Sequence, residues 1–133
     1  MGGKYTIKDN VMDVYKLDEF TRAFLECALW AECDHDKEDY PPLDKDYDIT
    51  DFSEETIIEL KNDCDSFRES NAELLSQAGD DEQNGHDFWL TRNGHGVGFW
   101  DRGYGDVGRK LSDACKPYGS VFLYIQNNKV CCD

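Results

Sequence analysis

His86, Asp87, Arg92, His95, Asp101 and Arg102 fall within one short run of the chain. A histidine beside a carboxylate can act as a general base in a hydrolytic or proton-transfer site. His86, Arg92, His95 and Asp101 therefore form one candidate pocket, on a glycine-rich segment spanning 85–108. No nucleophile with a base partner completes it, and Arg92 with Asp101 reads equally well as an ion pair across a hairpin. Directly after comes Gly103-Tyr-Gly105-Asp-Val-Gly108, a GxGxxG pattern between a strand-like run and a helix, the context in which backbone N–H groups cradle a pyrophosphate. The acidic residue expected about 20 positions later is missing; Gln126-Asn127-Asn128 stands there, and the chain is too short for a doubly wound sheet. The bland reading is a glycine-rich connection into a helix. Phe88, Trp89, Phe99 and Trp100 offer a stacking platform for nucleic-acid bases or the packing face of a sheet. An acidic chain repels phosphate, so no direct nucleic-acid contact is expected.

A second set of chemical groups is purely acidic. Asp44, Asp46, Asp48, Thr50 and Glu55 stand at positions one, three, five, seven and twelve of a calcium-loop pattern, but position six is Ile49 where the sharp turn requires glycine. His35 between Asp34 and Asp36 is a lone imidazole among acids. Neither arrangement calls for a metal, and no cofactor is expected. The charge itself is more telling. The formal net charge is −15, and the stretch 32–82 carries 19 acids against 4 Lys/Arg, so it accounts for the whole excess.

Stepping from these residues to the elements that must hold them, apolar residues at Leu17, Phe20, Phe24 and Ala28, widened by Leu25 and Leu29, predict a first helix over 17–32. Residues 33–52, with Pro41-Pro42 and seven aspartates, predict an acidic surface loop. Asp51 or Ser53 caps a second helix over 53–77, with Ile57, Leu60, Cys64, Phe67 and Leu74 on its apolar side and Gly79-Asp80-Asp81 after its end. Residues 86–92 and 97–102 read as two strands joined at Asn93-Gly94-His95-Gly96, because Asn-Gly favours the positive φ of a tight hairpin. A helix from Asp106 to about Tyr118, stopped by Gly119, precedes a strand over 120–126 and a turn at Asn127-Asn128. The expected fold is α+β, one domain over 1–133, with two N-terminal helices followed by a small antiparallel sheet made of hairpin, helix and strand. Leu17, Phe20, Phe24, Leu29, Trp30, Ile57, Ile58, Leu60, Phe67, Phe88, Trp89, Phe99, Trp100, Val121, Leu123 and Ile125 are the expected core.

On the second helix Glu55, Glu59 and Asp63 repeat every four residues, as do Asp65, Glu69 and Glu73. Like charges at this spacing lie about 6 Å apart along the axis and cost a few tenths of a kcal/mol per pair, so a helix selected for stability alone would avoid them. Beside a loop bearing Asp34, Asp36, Glu38, Asp39, Asp44, Asp46, Asp48 and Asp51, such rows imitate the charge lattice of a nucleic-acid backbone. The expected partner is a basic nucleic-acid-binding protein. The competing reading is a solvated face that keeps a small protein dispersed.

Cys27, Cys33, Cys64, Cys115, Cys131 and Cys132 contain no CxxC pair, and only Cys27 and Cys64 fall in phase with apolar neighbours, as expected of reduced structural thiols. Met1-Gly2 with Thr6 fits a loose acylation pattern, and Cys131-Cys132 lies near the C-terminus as in some prenylated chains. No apolar run approaches the roughly 20 residues that span a bilayer, and Met1-Gly2-Gly3-Lys4 opens no hydrophobic signal region, so a soluble intracellular protein with no membrane partner is expected.

The run Gly85-His-Asp-Phe-Trp-Leu-Thr-Arg-Asn-Gly-His-Gly-Val-Gly-Phe-Trp-Asp-Arg102, followed by a helix and a Gly-Ser-Val-Phe-Leu-Tyr strand, resembles small acidic proteins of bacteriophage and plasmid genomes. The segment Phe-Thr-Arg-Ala-Phe-Leu-Glu-Cys-Ala-Leu-Trp-Ala-Glu fits their first helix, so the resemblance covers about 110 residues. It brings no assigned functional residues with it. What it implies is a mobile-element origin and a bacterial host cytoplasm, where small acidic proteins often inhibit restriction, CRISPR or DNA-repair enzymes. The sequence thus favours an acidic inhibitor occupying a basic cleft through 32–82. The alternatives are an enzyme or ligand-binding protein with its site at 85–108, and an assembly protein docking a basic partner.

Overall fold

In the computed structural model, which describes residues 14–133, helix α1 spans Glu19–Ala31. Its start is fixed by Asp18, whose carboxylate accepts from the Thr21 backbone N–H at 3.0 Å and from the Thr21 hydroxyl at 2.9 Å, occupying a donor that the first turn leaves free. The acylation pattern at Met1, Gly2 and Thr6 lies outside the described residues.

The acidic segment after α1 is wound into short 3-10 turns at Leu43–Lys45 and Ile49–Asp51, anchored by the buried side chains of Leu43, Ile49 and Phe52. Ser53 then caps α2 (Glu54–Ser70). The second helix expected to run unbroken to residue 77 is interrupted at Asn71, whose side chain donates to the Phe67 carbonyl at 2.9 Å, and a separate one-and-a-half-turn helix α3 (Ala72–Ser76) follows.

The expected hairpin over 86–102 is overturned. Asp80 caps a helix, α4 (Asp81–Arg92), and the chain then passes through a glycine-rich loop into a 3-10 turn at Phe99–Asp101. Asn93-Gly94 ends that helix, with Gly94 at φ +66° just past its last turn. The physical demand that Asn-Gly signals, a cheap positive φ, is shared by hairpin turns and helix C-termini, so the dipeptide alone does not choose between them. Among the described residues the fold is mostly helical, five α-helices with one two-stranded hairpin at the C-terminal end, so the expected α+β arrangement of two N-terminal helices followed by a sheet of hairpin, helix and strand is overturned as well.

α5 (Asp106–Cys115) leads through a 3-10 turn, Lys116–Tyr118, and Gly119 at φ +70° into β1 (Leu123–Gln126). β2 (Lys129–Cys132) returns antiparallel, with Leu123 opposite Cys132 and Gln126 opposite Lys129. Asn127 and Asn128 both have positive φ, as a two-residue type I′ connection requires, so the turn expected there is present but joins these two strands alone.

The core is aromatic. Phe67 stacks on Phe88 with centroids 4.1 Å apart, and Trp89 meets Phe24 edge-on at 5.2 Å. α1 packs against α4 at very short range because Gly85 faces the Phe20 carbonyl, where a Cβ would clash with backbone. Of the expected core, Trp30 and Trp100 are instead more than half exposed, and Ile58 and Ile125 only partly covered. Cys27, Cys64 and Cys115 are buried free thiols, and burial pushes the Cys27 and Cys115 thiols up to about 12. Cys131 and Cys132 sit within β2 rather than on a free tail.

Candidate functional site

Asp87 in α4 is fully buried and receives three hydrogen bonds from Arg102, at 3.1, 3.2 and 2.8 Å, which tie the loop after α4 back onto the helix. Arg92 is also buried and donates to the carbonyls of Gly119 at 2.9 Å and Tyr118 at 3.0 Å and to Asp63 at 3.1 Å, with its guanidinium over the rings of Phe88 and Tyr118. Asp101 accepts from the Gly98 N–H at 2.8 Å, not from Arg92. His95 places Nε2 2.6 Å from Glu32 Oε2, the same oxygen that accepts from Trp89 Nε1 at 2.9 Å. His86 packs against Trp30 with centroids 5.6 Å apart, its Nδ1 sealed from solvent and without a hydrogen-bond partner among the described residues. Burial holds the His86 imidazole below its ordinary range, Asp87 opposing and Arg102 adding to the effect.

The four residues of the candidate pocket thus share no hydrogen bond, and each is engaged with a different part of the scaffold. A helix in place of the expected hairpin is the reason. On α4, positions 86 and 92 are six residues apart and point to different sides, whereas in a hairpin they would have lined one sheet face. Gly103 and Gly105 have positive φ, and Gly108 packs on the Phe99 carbonyl, but a 3-10 turn rather than a strand precedes them, so the dinucleotide context is missing. Phe88, Trp89 and Phe99 are fully buried and offer no stacking platform.

On the acidic side the structure sorts the carboxylates. Asp63 is paired with Arg92, and Asp65 with Lys61 at 2.9 Å. Lys37 holds Asp46 at 2.7 Å and keeps its carboxyl below the usual range, while Asp48 caps the second 3-10 turn through Thr50, whose hydrogen bonds likewise hold that carboxyl low. Asp34 is only 4% exposed and accepts from the Asp36 N–H at 3.0 Å. Asp36, Glu38, Asp39, Asp44, Glu55, Glu59, Glu69 and Glu73 are exposed and have no ion-pair partner among the described residues. The calcium-loop pattern dissolves into these separate roles, and no group of three His, Cys, Asp or Glu among the described residues could hold a metal ion.

At 100° per residue, Glu55, Glu59 and Glu69 fall within about 80° of one another on α2 and span about 21 Å of its axis, opposite the buried Ile57, Leu60, Cys64 and Phe67. Asp63 and Asp65 flank this stripe, and both are neutralised by cations. The stripe's centre therefore faces solvent while its margins are tied to the protein. Glu73 lies beyond the break at Asn71, so the second expected row is not continuous.

Sequence patterning missed what joins the acidic loop to the acidic helix. Phe122, immediately before β1, and Tyr124 within it are exposed, opposite in phase to Leu123 and Ile125, and stack with centroids 6.4 Å apart. His35 stacks on Phe122 at 6.1 Å, and Tyr40 leans on His35 at 5.7 Å. Phe122 and Tyr40 are 56% and 61% exposed, so four rings form an uncovered ledge. The Tyr124 phenol is pushed up, first by loss of solvent and then by the negative groups Cys131, Asp133, Cys132 and Glu55. The alternation at 121–125 could have flagged the two exposed rings; nothing local could have brought His35 and Tyr40 to them. Among the described residues no helix is long and apolar enough to cross a membrane. No protein-family model, curated protein or solved structure matches this chain.

Proposed function

We propose that this chain is a non-catalytic acidic inhibitor that occupies the basic cleft of a nucleic-acid enzyme of the restriction, CRISPR or DNA-repair type, in place of the nucleic acid. The observation that carries this reading is the solvent-facing stripe of Glu55, Glu59 and Glu69, left without cations among the described residues while the flanking Asp63 and Asp65 are paired. Holding Glu55 and Glu59 one turn apart costs helix stability, and a lysine-lined cleft would relieve that repulsion on binding. The exposed Asp36, Glu38, Asp39 and Asp44 extend the negative field beyond the helix. The mobile-element origin and bacterial host cytoplasm belong to the same proposal.

The test is a pull-down from bacterial lysate at low and then high salt, with duplex DNA as competitor. Retention of one nucleic-acid enzyme that DNA displaces and salt weakens is the expected result. Replacing Glu55, Glu59, Glu69 and Glu73 by Gln lowers its affinity at least about tenfold, since rim and core charges steer such complexes. Asp63 is left out of that set because its loss would strand Arg92. Binding that ignores salt, DNA and these four substitutions overturns the reading.

A further inference from the structure

Between residues 33–36 and β1 runs a groove lined by Asp34, His35, Asp36, Leu43, Phe122 and Tyr124. We propose that this groove is the receptor for an arginine side chain of the protein partner, an inference that rests on the reading of a basic partner given above.

Three features converge on a guanidinium. The first is a buried carboxylate without a salt bridge, since Lys37, which acts on it at longer range, is bonded to Asp46. Asp34 is 4% exposed, its Oδ1 accepts one backbone N–H, and no cation pairs with it among the described residues. A carboxylate this far from water normally gains an ion pair or several hydrogen bonds, and Asp34 reaches the groove with one. The second is the ring ledge. The planes of His35 and Phe122 differ by 21° and those of Phe122 and Tyr124 by 19°, so the ledge presents nearly parallel faces on which a planar cation stacks. The third is the open edge of β1. Asp133 N–H donates to the Phe122 carbonyl, which makes 122, 124 and 126 the hydrogen-bonded positions of the hairpin and turns the N–H and C=O of Leu123 and Ile125 away from β2. The matching edge of β2 is satisfied, since Val130 O accepts from Ser53 N–H and Cys132 N–H donates to Thr56 Oγ1. The edge of β1 has no such partner among the described residues, and its carbonyls border the groove.

An arginine supplies what each feature lacks: positive charge for Asp34 and Asp36, a flat face for the rings, and five donors for carboxylate and carbonyl oxygens. A lysine supplies the charge and three donors but neither the flat face nor the fixed fork. A nucleic-acid base would stack on the same rings, but Asp36, Asp39 and Glu55 around the ledge repel its phosphates.

The test uses the full chain, isotope-labelled for NMR, titrated with the blocked pentapeptide Gly-Gly-Arg-Gly-Gly and with its lysine counterpart. The arginine peptide should shift the amides of residues 34–36 and 123–125 saturably, with an affinity about tenfold above that of the lysine peptide. Phe122→Ala with Tyr124→Ala should abolish that preference; both side chains are exposed, so the fold survives and the spectrum verifies it. Asp34→Asn gives an independent check, lowering arginine affinity while keeping the stacked rings. Equal binding of the two peptides, shifts confined to α2, or preferential binding of a short single-stranded oligonucleotide overturns the proposal. A captured enzyme that tolerates Phe122→Ala with Tyr124→Ala but not the four glutamate substitutions also overturns it, and leaves the inhibitor reading standing. Arginine-selective binding with no nucleic-acid enzyme retained does the reverse.

Discussion

The segment 85–108 and helix α2 carry opposite kinds of polar residue. In the first, histidines, arginines and glycines look like chemistry, yet nearly every polar group is engaged with the chain itself: Arg102 with Asp87, Arg92 with Asp63 and two carbonyls, Asp101 with Gly98, His95 with Glu32. In the second, no residue has catalytic character, yet Glu55, Glu59 and Glu69 are unengaged and directed at solvent. Residue type marks what a site could do; engagement by the scaffold decides whether it is free to do it. A polar group already holding two or three internal hydrogen bonds has little left to offer a ligand.

If that contrast is right, substitutions in the first region should cost stability and those in the second should not. The largest effect is expected for Arg102→Ala, which leaves the fully buried Asp87 carboxylate with Gln83 but no ion-pair partner and should lower unfolding free energy by about 3 kcal/mol in urea titration. Gly85→Ala comes next. Its methyl group would meet the Phe20 carbonyl, and separating α1 from α4 to admit it should cost about 2 kcal/mol by the same measurement. A smaller effect is read in pH. Burial holds the folded-state pKa of His86 below its ordinary 6.5, so between those values the unfolded chain binds the additional proton. Stability from this residue is therefore complete above pH 6.5 and declines as pH falls through the folded value, and His86→Gln should flatten thermal stability across that window. The smallest effect has the opposite sign: Glu59→Lys converts two like-charge spacings into Glu55–Lys and Lys–Asp63 pairs and should stabilise the protein by a few tenths of a kcal/mol at low salt. Destabilisation by Glu59→Lys would break the contrast, since it would mean that this glutamate serves the fold.

Several local elements were legible, but not their assembly into a mostly helical fold. α1, the Ser53 cap of α2, the start of α5 at Asp106 and the Asn127-Asn128 turn all follow from local period and capping chemistry. α4 was not, because its residues Asn84, Gly85, Asp87, Phe88, Trp89, Leu90 and Arg92 are all buried and leave no polar stripe from which a helical period can be read. The polar residues at 84, 87 and 92 are inside because specific partners satisfy them: Asn84, for instance, bonds both backbone groups of Gly79 and the Leu75 carbonyl. Trp30 and Trp100 were misplaced for the converse reason, since apolar character does not ensure a neighbour to cover it.

The sequence by itself determined where charge accumulates, where α1 lies and α2 begins, and that Glu55, Glu59 and Glu69 share a face, because these depend on spacing within one element. Only the tertiary structure decided which carboxylates are neutralised and which rings meet at the ledge. Arg92 reaches Asp63 across 29 positions, and His35 reaches Phe122 across a still longer stretch of chain, so both contacts exist only once the helices and the hairpin have packed.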